Sequence, residues 1–544
     1  MKTVRFNFLL AISATVAAFV GLPVASVLAN IFSGGTGSTW SHLASTVLPE
    51  YVGNTLWLCL GVGLGVIVVG VATAWLTAMH DFPGRRIFEW ALVLPLAVPA
   101  YVLAYVYTDF LQYVGPLQSG LREFFGWNRA DYWFPDVRTL GGAVLMFVFV
   151  LYPYVYLLVR TAFIERASGM LEAARTLGLG PWHSFFRVSL PLARPAVAAG
   201  ATLALMETLA DYGTVSYFGV STFTTGIYRA WFSLGDRIAA AQLAAALLGF
   251  VVVLLLVERG SRGRARFHNT TGRNRQLAGY RLRGWHAAAA TLACAVPLIL
   301  GFLLPAGLLL RLALVDGDAQ FGERFLGLAR NSFVLAGLTA IIAVALAVLL
   351  AYGARLSRGM TARLLNRLVG LGYAVPGSVI AVGVLIPVTR LDNWLAGQWA
   401  IWFGSNPGLL ITGGIAALVY AYLVRFLAVA LQSVGSSLSK ITASMDDAAR
   451  SLGVAQGEAL RRVHLPILRG SLFTAGLLVF VDVMKELPAT LVMRPFNFDT
   501  LATQAYTLAS DERLAEASTA ALAIVAVGLL PLIALSRQIA RSRR

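Results

Sequence analysis

The sequence is short of charge. Only 13% of its 544 residues are Asp, Glu, Lys or Arg, against about 25% in an ordinary soluble domain. A soluble fold of this length could not cover its surface, so a soluble enzyme and a disordered scaffold are both excluded. Cysteine is nearly missing. Cys59 and Cys294 sit in apolar runs with no disulfide or metal-ligand spacing, which excludes a disulfide-stapled secreted module. Lysine occurs only as Lys2, Lys440 and Lys485, so the net charge of +17 is almost all arginine. The histidines (His42, His80, His183, His268, His286, His464) form no HExxH or close pair. No G-x4-G-K-[ST] phosphate loop exists, since Gly34 to Thr39 has the glycines without the lysine. There is no nucleophile–base constellation either. The chain is therefore expected to be no enzyme, to bind no cofactor of its own and to hydrolyse no ATP itself.

What is present is apolar. Hydrophobic residues make up 58% of the chain, and mean hydropathy is +0.73. A bilayer core needs about 20 apolar residues per helix. Runs of that kind fall near 7–31, 55–79, 88–113, 140–162, 193–217, 238–257, 287–314, 331–354, 367–389, 408–431, 471–493 and 514–536. The expected fold is all-α and polytopic, with about twelve spans. The first run is too long for a signal-peptide core and is expected to stay as a helix. Eight arginines lie in 258–286, and further arginines follow the eighth span and end the chain. Residues 32–54, on the opposite side, contain no Lys or Arg. The positive-inside rule puts both termini in the cytoplasm. It also gives the arginines a topological role in place of a nucleic-acid one; the lipid bilayer is the expected partner.

The chain repeats itself. Asn54-Thr55 matches Asn331-Ser332, and Pro99 matches Pro376, both 277 positions apart. Ala173-Ala174-Arg175 matches Ala448-Ala449-Arg450, Gly178 matches Gly453, and Leu190-Pro191 matches Leu465-Pro466, all 275 apart. This is the pattern of a parallel duplication. It predicts a first half at 1–257, a basic cytoplasmic linker at 258–286 and a second half at 287–544. The linker reads as a tether and topology signal, with anionic lipid contact as the other reading.

The densest signal lies in two loops on one side, at 165–191 and 440–466. One reads Glu172-Ala-Ala-Arg-Thr-Leu-Gly178, nine residues, then Val188-Ser-Leu-Pro191; the other reads Asp447-Ala-Ala-Arg-Ser-Leu-Gly453, nine residues, then Val463-His-Leu-Pro466. Each predicts a short helix closed by a left-handed glycine, then a second short helix interrupted by proline. Ser444 is a candidate capping partner of Asp447. The pattern resembles the EAA motif, E-A-A-x3-G-x9-I-x-L-P, of the permease subunits of binding-protein-dependent ABC importers, with Asp447 for Glu and Val188 and Val463 for Ile. That resemblance implies two homologous six-helix halves of MetI-like fold in the bacterial inner membrane. It implies coupling to a separate ABC ATPase, in two copies that carry ATP and Mg, through Glu172, Ala173, Ala174, Gly178, Asp447, Ala448, Ala449 and Gly453. It also implies a periplasmic substrate-binding protein. The segments Lys485-Glu-Leu-Pro-Ala-Thr-Leu491 and Met206-Glu-Thr-Leu-Ala-Asp-Tyr-Gly213 look like the fused permeases of ferric-iron importers. Thiamine, polyamine and inorganic-anion permeases are the alternatives. An ion-gradient carrier is a further one, suggested by Asp81-Phe-Pro-Gly-Arg-Arg86.

Ionisable groups inside a membrane are costly and usually face a cavity or a partner. Glu207 and Asp211 in the fifth span, and Asp482, Lys485 and Glu486 in the eleventh, are candidates for a central pathway. Two readings stand side by side, a path lined by carboxylates suited to a hard cation and internal ion pairing. Pro488 is expected to kink the eleventh span.

Overall fold

The computed structural model describes residues 2–34, 42–43, 45–166, 178, 180–262, 280–315, 322–357 and 359–542. The apolar runs become helices, because a helix satisfies its own backbone without water. They are α1 (Lys2–Ala29), α2 (Leu48–Met79), α3 (Ala100–Leu111), α4 (Leu140–Arg166), α5 (Leu190–Ala210) and α6 (Arg237–Arg262). The second set is α7 (Trp285–Val315), α8 (Glu323–Ser357), α9 (Gly377–Phe403), α10 (Ala416–Leu438), α11 (Leu465–Met484) and α12 (Leu514–Ser542). Among the described residues, 11 helices are long and apolar enough to cross a membrane, and 12 if Arg85–Ala97 and Ala100–Phe125, bent by 91°, count as one span.

Four spans depart from the continuous runs expected of them. The third breaks at Pro99 (φ −60, ψ 142) and the ninth at Pro376 (φ −58, ψ 144). Both prolines stand as extended N-caps, so the ninth span is the helix Met360–Gly370 followed by α9. The fifth and eleventh end at Ala210 and Met484 and resume as the short helices Gly213–Tyr217 and Pro488–Met493. The expected kink at Pro488 is thus a full break. Pro191 and Pro466 behave in the opposite way. Each follows a π-helical turn, Phe185–Ser189 or Leu460–His464, and the helix runs on through it. The wider turn shifts the carbonyls that a proline would leave unpaired or strike.

Matching positions in the two halves make matching local structures. The Asn54 side chain donates to the Ser221 carbonyl at 2.9 Å, and Asn331 to that of Asp499 at 3.0 Å. Thr222 and Thr500 each open a short helix with a reciprocal capping box, closed by Thr225 and Thr503.

The first helix of each set of six packs on the other set. α1 lies against α9 and the helix Met360–Gly370, where the Tyr420 hydroxyl donates to the Phe19 carbonyl at 2.6 Å. In return, the Tyr107 hydroxyl donates to the Leu300 carbonyl of α7 at 2.6 Å. At the end of the linker, Tyr280–Arg281 pairs in parallel with His80–Asp81.

Asp392 was no part of the expected pattern. It is fully buried and accepts from the amides of Leu410 (2.7 Å) and Thr412 (2.8 Å) and from the Thr412 hydroxyl (2.6 Å). It ties the loop before α10 to α9. Asp392→Ala removes the acceptor that holds this half-exposed loop, an expected loss on the order of 1–2 kcal/mol. A thermal melt of the purified protein in detergent checks it.

Candidate functional site

α5 and α11 occupy equivalent positions and both stop short, so each exposes unpaired amides at the start of the helix that follows. Acidic residues fill those two places. Asp211 accepts from the Thr214 amide at 2.8 Å and the Thr214 hydroxyl at 3.1 Å. Glu486, 275 positions later, accepts from the Ala489 amide at 2.9 Å, the Thr490 amide at 3.1 Å and the Thr490 hydroxyl at 2.7 Å. Negative charge at a helix N-terminus is favourable in itself.

One turn earlier on each helix stands a second equivalent pair, Glu207 and Asp482. The Tyr373 hydroxyl donates to Glu207 at 2.8 Å. Lys485 pairs with Asp482 at 3.1 Å. Between the halves lies Arg425 of α10, only 7% exposed. Its guanidinium is 3.5 Å from Glu207 and 3.6 Å from Glu486. All five candidate pathway residues and Arg425 line one cavity of about 110 Å³, with Tyr101 and Tyr154 on its wall. Lining the cavity and pairing internally describe the same side chains. Formally, four carboxylates face two cations, so the cavity is acidic. Among the described residues no group of three or more His, Cys, Asp or Glu is placed to hold a metal ion.

A cluster of tyrosines lies at the ends of α5 and α11 remote from the two repeated loops. Tyr212 stacks on Tyr228 at 3.6 Å between ring centres, and Tyr105 meets Tyr217 at 4.5 Å. Tyr506, from the second half, bonds Ser216 at 3.3 Å and Tyr212 at 3.5 Å. The Tyr228 hydroxyl donates to the Pro488 carbonyl across the same seam.

The repeated loops are only partly in view. Glu172, Ala173 and Ala174 lie outside the described residues. Gly178 (φ +77) and Gly453 (φ +79) are both left-handed. The helix Ala443–Ser451 starts from Thr442 as its N-cap. Ser444 therefore lies inside the helix, its hydroxyl turned to that of Thr442 at 2.8 Å; it is not a cap for Asp447. Asp447 is exposed and pairs with Arg450. The anchor is its neighbour Asp446, which takes Arg355 at 2.8 Å and His464 at 2.7 Å. Arg355 also donates to the carbonyls of Leu438 (2.8 Å) and Ile441 (2.9 Å). Ala449 packs inward, while Asp447 and Ala448 face outward.

Sequence reasoning passed over Arg425, although an arginine within an apolar run carries the same signal as Glu207. Its place in the repeat is no guide, because the position 275 residues earlier is Val150. Asp446, Arg355 and His464 belong to three separate segments and have no common spacing.

The family of binding-protein-dependent transport system inner membrane components matches residues 66–266. The chain is 27% identical over 501 residues to an Fe(3+)-transport system permease protein of Haemophilus influenzae, covering 90% of each. It is 30% identical over 195 residues to a molybdenum transport system permease protein of Escherichia coli, covering 35% of this chain and 82% of that one. A sulfate transport system permease protein of Escherichia coli is 31% identical over 219 residues, covering 38% and 69%. With its array of apolar helices and paired local motifs, the chain belongs to the binding-protein-dependent transport system inner membrane components, as a multi-pass permease.

Proposed function

We propose that this chain is the fused transmembrane channel of an ATP-driven importer for ferric iron, fed by a periplasmic binding protein. Likeness over 90% of both chains to an Fe(3+)-transport permease supports the iron reading. The acidic balance of the cavity agrees with cationic cargo. Carboxylate and phenol oxygens are the ligand type that a hard cation prefers. Both termini lie in the cytoplasm in this reading, with the arginine-rich loops. The halves are 1–257 and 287–544, joined by the linker 258–286.

Two ATPase copies engage the loops 165–191 and 440–466, one each, and carry ATP and Mg. Glu172, Ala173, Ala174 and Gly178 act in one loop, and Asp447, Ala448, Ala449 and Gly453 in the other. The exposed face of the second loop suits a docking role. Ala448 sits between Met445 and Leu452, and Leu452 is 81% exposed among the described residues. The tyrosine seam forms the outer closure. Entry of cargo requires the halves to part there while the loops transmit ATPase closure.

Inorganic anions form the second reading, because Arg425 and Lys485 line the cavity and molybdenum and sulfate permeases are similar. Uptake by vesicles holding the permease, its ATPase and its binding protein separates the two. Radioactive ferric iron is expected to accumulate with ATP, and molybdate and sulfate are not. Accumulation of an oxyanion without iron would overturn the iron reading. Charge-neutral Glu207→Gln is expected to lower iron uptake about tenfold with assembly intact, the scale of one lost charged contact.

A further inference from the structure

The duplication breaks down at one charged spot on the side of the repeated loops. In the first half, Glu89 neutralises Arg85 and Arg160, both at 3.4 Å. The residue 277 positions on from Glu89 is Asn366. The arginines that Glu89 pairs are replaced as well, Arg85 by Ala362 and Arg160 by Gly435, while Arg363 keeps the place of Arg86 and the second half adds arginines of its own. Asn366 lies in a cleft of about 1220 Å³ between the ends of α6, α8 and α10 and the helix Met360–Gly370. Arg259, Arg355, Arg363 and Arg367 line it, and among the described residues no Asp or Glu does. Arg355 is already bound to Asp446. The other three have no ion pair among the described residues.

The helix that carries Arg363 and Arg367 has a second face. Met360, Leu364, Leu368 and Leu371 recur at helical spacing and are 63%, 53%, 42% and 46% exposed. A basic face beside an exposed apolar stripe is the arrangement of a helix at the boundary of headgroups and acyl chains. Basic pockets between spanning helices on the cytoplasmic side take anionic headgroups.

We propose that this cleft binds the phosphate headgroup of an anionic phospholipid, its chains lying along the Met360–Leu371 stripe. The lipid supplies the negative charge that the described lining of this cleft lacks. Because Arg355 lines the cleft and holds Asp446, the site adjoins the anchor of the second repeated loop.

Native mass spectrometry of the purified full chain with phosphatidylglycerol or phosphatidylcholine of equal chain length tests this in detergent, without reference to orientation or cargo. Phosphatidylglycerol is expected to be retained. The double variant R363Q/R367Q is expected to weaken it about 30-fold, the contribution of two arginines at an anionic surface. N366E, which restores the acid of the first half, is expected to weaken it as well, with an unchanged thermal melt. Equal retention of both lipids, or undiminished phosphatidylglycerol on both variants, would overturn the assignment. Displacement by millimolar inorganic phosphate would show a free-anion site and overturn it too.

Discussion

Arg425→Ala is expected to abolish transport and to destabilise the protein by about 3–5 kcal/mol, the cost of stripping one partner from a buried ion pair. The reason lies in what is left behind. Glu486 is 5% exposed and cannot move to water, because its oxygens also cap Pro488–Met493. Without the guanidinium a buried carboxylate loses its cation partner. Glu207 loses the guanidinium and is left with the Tyr373 hydroxyl as its described link to the second half. Arg425→Lys keeps the charge but gives up the fork that spans two carboxylates, so an intermediate loss is expected. A double variant, Arg425→Ala with Glu486→Gln, separates the effects. It should recover much of the stability and none of the uptake. Thermal melts with uptake assays on the same preparations check this, and wild-type uptake by Arg425→Ala would remove the role assigned here.

The second large effect is expected at the glycines of the repeated loops. A left-handed residue with a Cβ costs about 1–2 kcal/mol, and a β-branched one more. At Gly453 nothing lies within 4 Å of an added Cβ, so the penalty is one of backbone conformation alone. Gly453→Val should therefore tilt the exit of the Ala443–Ser451 helix without disturbing the membrane core. ATPase activity stimulated by the loaded binding protein is expected to fall at least tenfold, with the melting temperature held within a few degrees. Gly453→Asn, which tolerates this conformation, should recover most of it. Gly178→Val should behave alike, since its backbone angle is nearly the same. Full stimulation in both valine variants would end the coupling assignment.

The sequence showed the spans well, because apolar runs of membrane length have few alternatives. It showed the left-handed glycines and the duplication from spacing alone. It misjudged the interior of four spans. Pro99 and Pro376 read only as matching marks of the repeat, yet each restarts a helix. Pro191 and Pro466 read as interruptions, yet a π turn absorbs them. In both cases the outcome depends on which carbonyls neighbouring segments can satisfy, and no local pattern encodes that. Asp211 and Glu486 read as pathway groups and prove also to be caps, since a cap is visible only once the helix is known to stop. Arg425 was legible as a charge in an apolar run, but its two carboxylates come from segments 218 and 61 positions away.

The exchange of first helices sets an order of events. α1 leaves the ribosome well ahead of its packing surface on α9 and Met360–Gly370, which is made more than 300 residues later. Until then it sits in the bilayer with lipid on the face that Tyr420 and Gly383 will cover. α7 meets its first-half partners, already inserted, as soon as it emerges, and gains α12 only at the end of the chain. The first six helices therefore cannot finish as an independent unit, and the last six complete them. A single chain keeps the waiting helix beside its own late partner, where two separate half-length chains would have to find each other by diffusion in the membrane.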